Sequence, residues 1–247
     1  MTRIWGKSEL GFALVWIAVY LLGNSLGAEL SGALGIKNCV TAVFHLGMGL
    51  FLFFWIRKNG LAERYGLCGP ESPAGGFLGY IPLVILSSVN LWNGVTVNLP
   101  VMDTVFSVCA MIGAGFLEEL LFRGFLFRAV SRSGVKRGAV ISGVSFGLGH
   151  SLNLFSGRGM GVAQIVWQII FAAAFGFLCA IIFYRKKTLW PCILTHAAFN
   201  AAGVFAREAD AAGPMRIFQH TAALVLVIGY AWLLAKTLPE NSAKAKS

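Results

Sequence analysis

Eight stretches of about twenty mostly apolar residues follow one another along this chain, near 10–29, 38–56, 76–95, 101–122, 138–156, 161–184, 188–206 and 217–235. At ~1.5 Å of rise per residue a helix of that length crosses the hydrocarbon core of a bilayer. In lipid its backbone N–H and C=O groups must be satisfied within the segment. The stretches therefore dictate an all-α, polytopic membrane bundle of about eight transmembrane helices. Hydrophobic residues make up 57% of the chain and charged ones only 12%, with mean hydropathy +0.74, which leaves no room for a soluble domain. Residues 1–238 read as one transmembrane domain with its polar core at 101–206, and 239–247 as a polar, disordered tail.

The placement of lysine and arginine sets the expected orientation. With both termini cytoplasmic, the inside receives Arg3, Lys7, Arg57, Lys58, Arg64, the basic residues of 128–137 and 185–187, Lys236 and the lysines of the tail. The outside receives only Lys37, Arg158, Arg207 and Arg216. This spread over short loops accounts for the net charge of +10 through contact with anionic headgroups, and it excludes a nucleic-acid-binding stripe. The first apolar run, from Leu10 to Leu26, is longer than the roughly 7–15 residues of a signal-peptide core, so the first span is expected to stay. Cys39, Cys68, Cys109, Cys179 and Cys192 form no CxxC pair and read as free, mostly buried thiols.

Against this apolar background the polar residues stand out. The fourth stretch contains Glu118, Glu119 and Arg123, and a charge at bilayer depth costs at least about 2.5–3.5 kcal/mol on insertion scales. Glu119 and Arg123 are four apart and share a helical face, whereas Glu118 lies about 100° round the helix. One carboxylate can be neutralised locally while the other turns to the bundle interior. On the fifth stretch Phe146 and His150 share a face in Phe-Gly-Leu-Gly-His, where the glycines permit close helix approach. On the seventh, His196 and Asn200 share a face in His-Ala-Ala-Phe-Asn. Counted from the basic clusters, Glu118, His150 and His196 lie roughly 15, 20 and 14 Å deep, so the three can meet in one layer. A Glu–Arg pair alone could be a brace, and a lone histidine or asparagine a helix–helix hydrogen bond. Bracing does not explain two histidines beside an unpaired carboxylate. His45 and His220 have no acidic residue at helical spacing and are left out of the site, while Asn153 could orient His150 or cap a helix.

In this order, EExxxR at Glu118–Arg123, FxxxH at Phe146–His150 and HxxxN at His196–Asn200 resemble the motifs of the CPBP family. That family, also called ABI, comprises CAAX proteases and bacteriocin-processing enzymes and includes the type II CAAX prenyl endopeptidases. The resemblance implies a glutamate-dependent intramembrane endopeptidase. In it Glu118 with His150 activates a water, His196 and Asn200 stabilise the oxyanion, and Glu119 and Arg123 hold the base. No cofactor is expected. A zinc-dependent version of the same protease would use Glu118, His150 and His196 as ligands, although no HExxH helix is present. Two non-proteolytic readings stand beside it: a bacteriocin-immunity or scaffold protein, and a proton-coupled transporter, which the lack of an inverted repeat disfavours. The expected partners are the lipid bilayer and a membrane-associated peptide or protein substrate. The expected location is the plasma membrane in a prokaryote or the endoplasmic reticulum in a eukaryote. The natural substrate and the oligomeric state are not written in the sequence.

Overall fold

The computed structural model describes residues 2–69, 78–155, 161–207 and 213–238. The expected disordered tail, 239–247, therefore lies outside the described residues. Among the described residues ten α-helices follow in order: α1 (Thr2–Lys7), α2 (Glu9–Ala33), α3 (Cys39–Lys58), α4 (Ile81–Ser88), α5 (Val101–Glu119), α6 (Arg128–Val130), α7 (Val135–Gly149), α8 (Val162–Lys186), α9 (Trp190–Val204) and α10 (Pro214–Ala235). No strand occurs among the described residues, only an isolated antiparallel bridge between Val95 and Ala206. The all-α expectation holds.

Among the described residues five helical segments are long and apolar enough to cross a membrane: Glu9–Ala33, Cys39–Lys58, Val101–Ser133, Val162–Lys186 and Pro214–Ala235. The other three apolar windows fold as shorter pieces, Ile81–Leu91 and the 15-residue helices α7 and α9. At ~1.5 Å per residue these fall short of a hydrocarbon core. The reason lies in their sequences. Pro191 opens α9, and α7 gives way to a 3₁₀ turn, His150–Phe155. Two of the three motifs therefore sit on short helices, each with one face buried and another exposed, as at Val144 and Leu194.

The basic segments gather at one end of the bundle. There Arg64 and Arg132 both pair with Glu9, and the Arg128 side chain donates to the Arg64 carbonyl. At the same end Arg185 reaches the Leu234 carbonyl and the Thr237 hydroxyl. Thr188 and Leu189, in the turn after α8, bond to the carbonyls of Cys68 and Gly66. The far end is tied by Lys37 to Asp103, by Asn93 to the Arg207 carbonyl, and by Gln219 to the Val89 carbonyl.

The interior is packed through small residues. A Cβ on Gly143 would lie 2.7 Å from the Ala173 carbonyl oxygen, and one on Gly147 only 2.6 Å from that of Ile169, so α7 lies directly on the backbone of α8. Gly115 does the same for α5 on α9, where its Cβ would meet the Ala197 nitrogen at 2.6 Å. Of the two glycines before His150, Gly147 serves this close approach, whereas Gly149 faces open space.

Candidate active site

After Glu119 the helix widens into a π-helix over Leu120–Phe127, all eight residues of which are buried. Such widened turns are rare and often lie at functional sites. Ser142 of α7 donates to the Phe122 carbonyl at 2.7 Å, which stitches the widened segment to α7. Arg123 lies within this segment and is fully buried, as is Glu119. Its Nε stands 3.3 Å from Glu119 Oε2, an ion contact without hydrogen-bond geometry. The guanidinium carbon lies 4.2 Å over the ring of Phe146, the first residue of the second motif. Gly176 of α8 leaves room for this cation, since a Cβ there would stand 2.7 Å from Arg123 Nη2. A carboxylate and an aromatic face together compensate a charge that would otherwise be prohibitive in a dry core.

His196 lies between the two glutamates. Its Nδ1 is 2.9 Å from Glu119 Oε1 and its Nε2 is 3.4 Å from Glu118 Oε2. A carboxylate can only accept, and a neutral imidazole carries one N–H, so the shorter contact places that hydrogen on Nδ1. An imidazolium would donate to both carboxylates, and with Arg123 it would bring the cluster to zero net charge. Phe146 and Phe175 meet the His196 ring edge-on, at 5.7 and 5.2 Å between centroids, and fix its plane.

Beside this cluster lies a cavity of about 80 Å³ lined by His150, His196 and Asn200 together with Gln168, Leu86, Ala172 and four phenylalanines. His150 packs edge-on against Phe146 at 4.9 Å, and its Nδ1 lies 3.1 Å from the Phe146 carbonyl. That carbonyl can only accept, so Nδ1 carries the hydrogen of a neutral His150 and Nε2 is left as the basic atom. Asn153 donates to Gln168 at 2.9 Å and so ties the 3₁₀ turn after His150 to α8.

His196 joins the two groups singled out in the sequence: it contacts both glutamates of the Arg123 cluster, and it lines the cavity with His150 and Asn200, a lining that does not include Glu118. Among the described residues the imidazole within ion-pair distance of Glu118 is His196, while His150 lines the cavity and packs against Phe146. Glu119 braces Arg123 as expected and in addition anchors His196. The three groups anticipated as zinc ligands in the metal-dependent reading, Glu118, His150 and His196, are not among the sets whose ligand atoms lie within 4.8 Å of one another in the described residues. Among the described residues the trio whose ligand atoms lie within 4.8 Å of one another is Glu119, Cys179 and Cys192. All five cysteines are free, as read.

Two residues escaped the sequence reading. Tyr20 of α2 donates its hydroxyl to Glu118 Oε1 at 2.6 Å. His45 of α3, set aside for want of an acidic neighbour on its own helix, packs against Tyr20 at 5.4 Å and lies close enough to Glu118 to feel its charge. Their partner lies on a different helix, which no spacing along α2 or α3 reveals. His220, also set aside, stacks on Trp167 away from the glutamates.

Fold and site define a helical integral membrane protein with a buried glutamate–histidine–arginine cluster at its core. Residues 100–202, a stretch that carries all three motifs and covers a little over two-fifths of the chain, match the family model described as type II CAAX prenyl endopeptidase Rce1-like. The CAAX-protease resemblance read from those motifs is thus a family match over this segment, and the family is one of proteases. No curated protein and no solved structure matches the chain.

Proposed function

We propose that this protein is an intramembrane endopeptidase that hydrolyses a peptide bond of a membrane-associated protein or peptide, using a water activated by Glu118. The observation that carries the reading is the pair of adjacent carboxylates on the two nitrogens of His196, beside a cavity that also holds His150 and Asn200. Glu119 is committed to Arg123 and His196. Glu118 keeps about 15% of its side chain accessible and is the carboxylate left for chemistry.

In this reading Glu118, aided by the free Nε2 of His150, takes a proton from a water in the cavity. The water oxygen bonds to the scissile carbonyl carbon and its π electrons move to the carbonyl oxygen. His196 acts here as the imidazolium, with one N–H held by Glu119 and the other, on Nε2, 3.4 Å from Glu118, and this second N–H and the Asn200 amide stabilise that oxyanion. The C–N bond then breaks and the amine leaves with the proton held by Glu118. Glu119 fixes His196 through Nδ1, so that Nε2 points to the reacting group. The substrate is a CAAX-type protein or a peptide precursor delivered from the bilayer, in the plasma membrane of a prokaryote or the endoplasmic reticulum of a eukaryote.

Glu118→Gln keeps the volume and the hydrogen-bonding shape but cannot take the proton. It should abolish cleavage of a fluorogenic prenylated CAAX peptide by the purified full chain in detergent, a loss of at least about 10²–10⁴-fold, while melting is unchanged. His150→Ala should match it, and His196→Ala or Asn200→Ala should each lower kcat about 10²–10³-fold. Each assay is run with and without chelator, and loss of activity on chelation that added metal restores would favour a metal-dependent route. Wild-type cleavage by Glu118→Gln would sink the general-base mechanism. If membranes from wild-type and Glu118→Gln cells show the same set of protein termini while the cellular phenotype persists, the immunity or scaffold reading takes over.

A further inference from the structure

We propose that Tyr20, on a helix outside the segment that matches the protease family, is a positioning residue for Glu118. The inference rests on the reading of Glu118 as the base, and three observations carry it. Tyr20 is only 4% exposed on a helix that otherwise faces outward along most of its length. Of the 25 residues of α2 only Phe12, Ala13, Tyr20, Gly27 and Ser31 are buried, and Tyr20 is the one among them that reaches the glutamates. A phenylalanine would fill the same space, so packing does not account for the hydroxyl.

The second observation is the bond itself. Glu118 can only accept, so the Tyr20 hydroxyl donates, and 2.6 Å is the length of a charge-assisted O–H···O⁻ bond. The third is the division of the carboxylate. Oε1 is held by Tyr20, while Oε2 faces His196 Nε2 at 3.4 Å. Holding one oxygen fixes the rotation of the group and presents the other to water. Because Tyr20 belongs to α2 and His196 to α9, Glu118 is held by two helices other than its own. The titratable groups around it are Tyr20 from α2, His45 from α3, His196 from α9 and Glu119 on its own helix. Of these Tyr20 is the one that donates a hydrogen bond to Oε1.

The test compares wild type, Tyr20→Phe, Glu118→Gln and the double variant as full chains in detergent, with the same prenylated peptide. Loss of a hydrogen bond to a charged group should lower kcat on the order of tenfold with KM within about twofold. Adding Tyr20→Phe to Glu118→Gln should cost nothing further. Infrared difference spectra give a readout that needs no substrate. With the carboxyl band of Glu118 assigned by its loss in Glu118→Gln, Tyr20→Phe should shift that band to higher frequency. Should Tyr20→Phe fail to fold, 3-fluorotyrosine at position 20 keeps the shape and donates more strongly, and should move the band the opposite way. An unmoved band with unchanged kcat, while Glu118→Gln is inactive, overturns the role of Tyr20. An active Glu118→Gln instead overturns the role of Glu118.

Discussion

The span Val101–Ser133 and the helix α10 are both apolar, yet 56% of the first span's apolar window is buried in the protein against 22% of the second. Hydropathy, 1.8 against 1.7, does not separate them. They differ in small and charged residues. The first contains Gly113 and Gly115, where neighbouring helices come within 2.7 Å of a would-be Cβ, and then Glu118, Glu119 and Arg123. In α10, Gly229 has nothing within 4 Å of a would-be Cβ. A helix in lipid gains nothing from apolar contact that lipid cannot also supply. Close backbone packing and buried polar groups decide which helices form the centre.

The sharpest way to break this comparison is to remove the charge that the inner span buries. Arg123→Ala leaves Glu119, itself fully buried, without its cation, and removing one member of a buried pair costs about 3–5 kcal/mol. It also empties the space over Phe146. Melting in detergent should fall steeply and cleavage should be lost with it. Arg123→Lys should rescue only in part, because an ammonium does not spread over an aromatic face as a guanidinium does. If Arg123→Ala melts normally, the inner span is not held by its charge.

A smaller effect tests the role of the glycines. Gly147→Ala puts a methyl 2.6 Å from the Ile169 carbonyl oxygen and 2.8 Å from Ala173 Cβ, where backbone has to move. Overpacking of this kind costs about 1–3 kcal/mol. It should also displace His150, three residues on, so cleavage should fall further than melting suggests. Gly149→Ala, with open space at its Cβ, is the matched control and should change neither measurement. Equal behaviour of the two variants would show that α7 is not held by backbone contact with α8.

What could be read in the sequence divides along the same line. The five long helices lie close to their apolar windows, as with Val162–Lys186 against 161–184, because span length and hydropathy are local properties. The six site residues were legible because each pair keeps helical spacing within one segment. The widened turn at Leu120–Phe127 was not, since an i→i+5 register depends on what packs around it, here Ser142 and Phe146. Nor was the partner of Glu118. Tyr20 lies 98 residues away, and on α2 it is one aromatic residue among several apolar ones. The short length of α7 and α9 was hidden in the hydropathy, since a short helix of the bundle can be as apolar as one that spans the bilayer, and Pro191 marks only where α9 begins.

The smallest predicted effect sharpens the comparison by holding the chemistry constant. Leu22 on α2 is 67% exposed, and Leu121 in the inner span is fully buried. Leucine to alanine at 121 removes contacts on every side and leaves a cavity, for a loss of about 2–5 kcal/mol. At 22 the side chain touches lipid in the folded bundle and still touches lipid when the helices separate, so its truncation should lie within about 0.5 kcal/mol of wild type. Melting of the two variants in one lipid composition measures the difference directly. A large loss at Leu22→Ala would mean that the outward face of α2 is covered by protein in the membrane, most simply by a second copy of the chain. The outer helices would then belong to an interface, and the contrast in burial between inner and outer spans would hold only for the isolated chain.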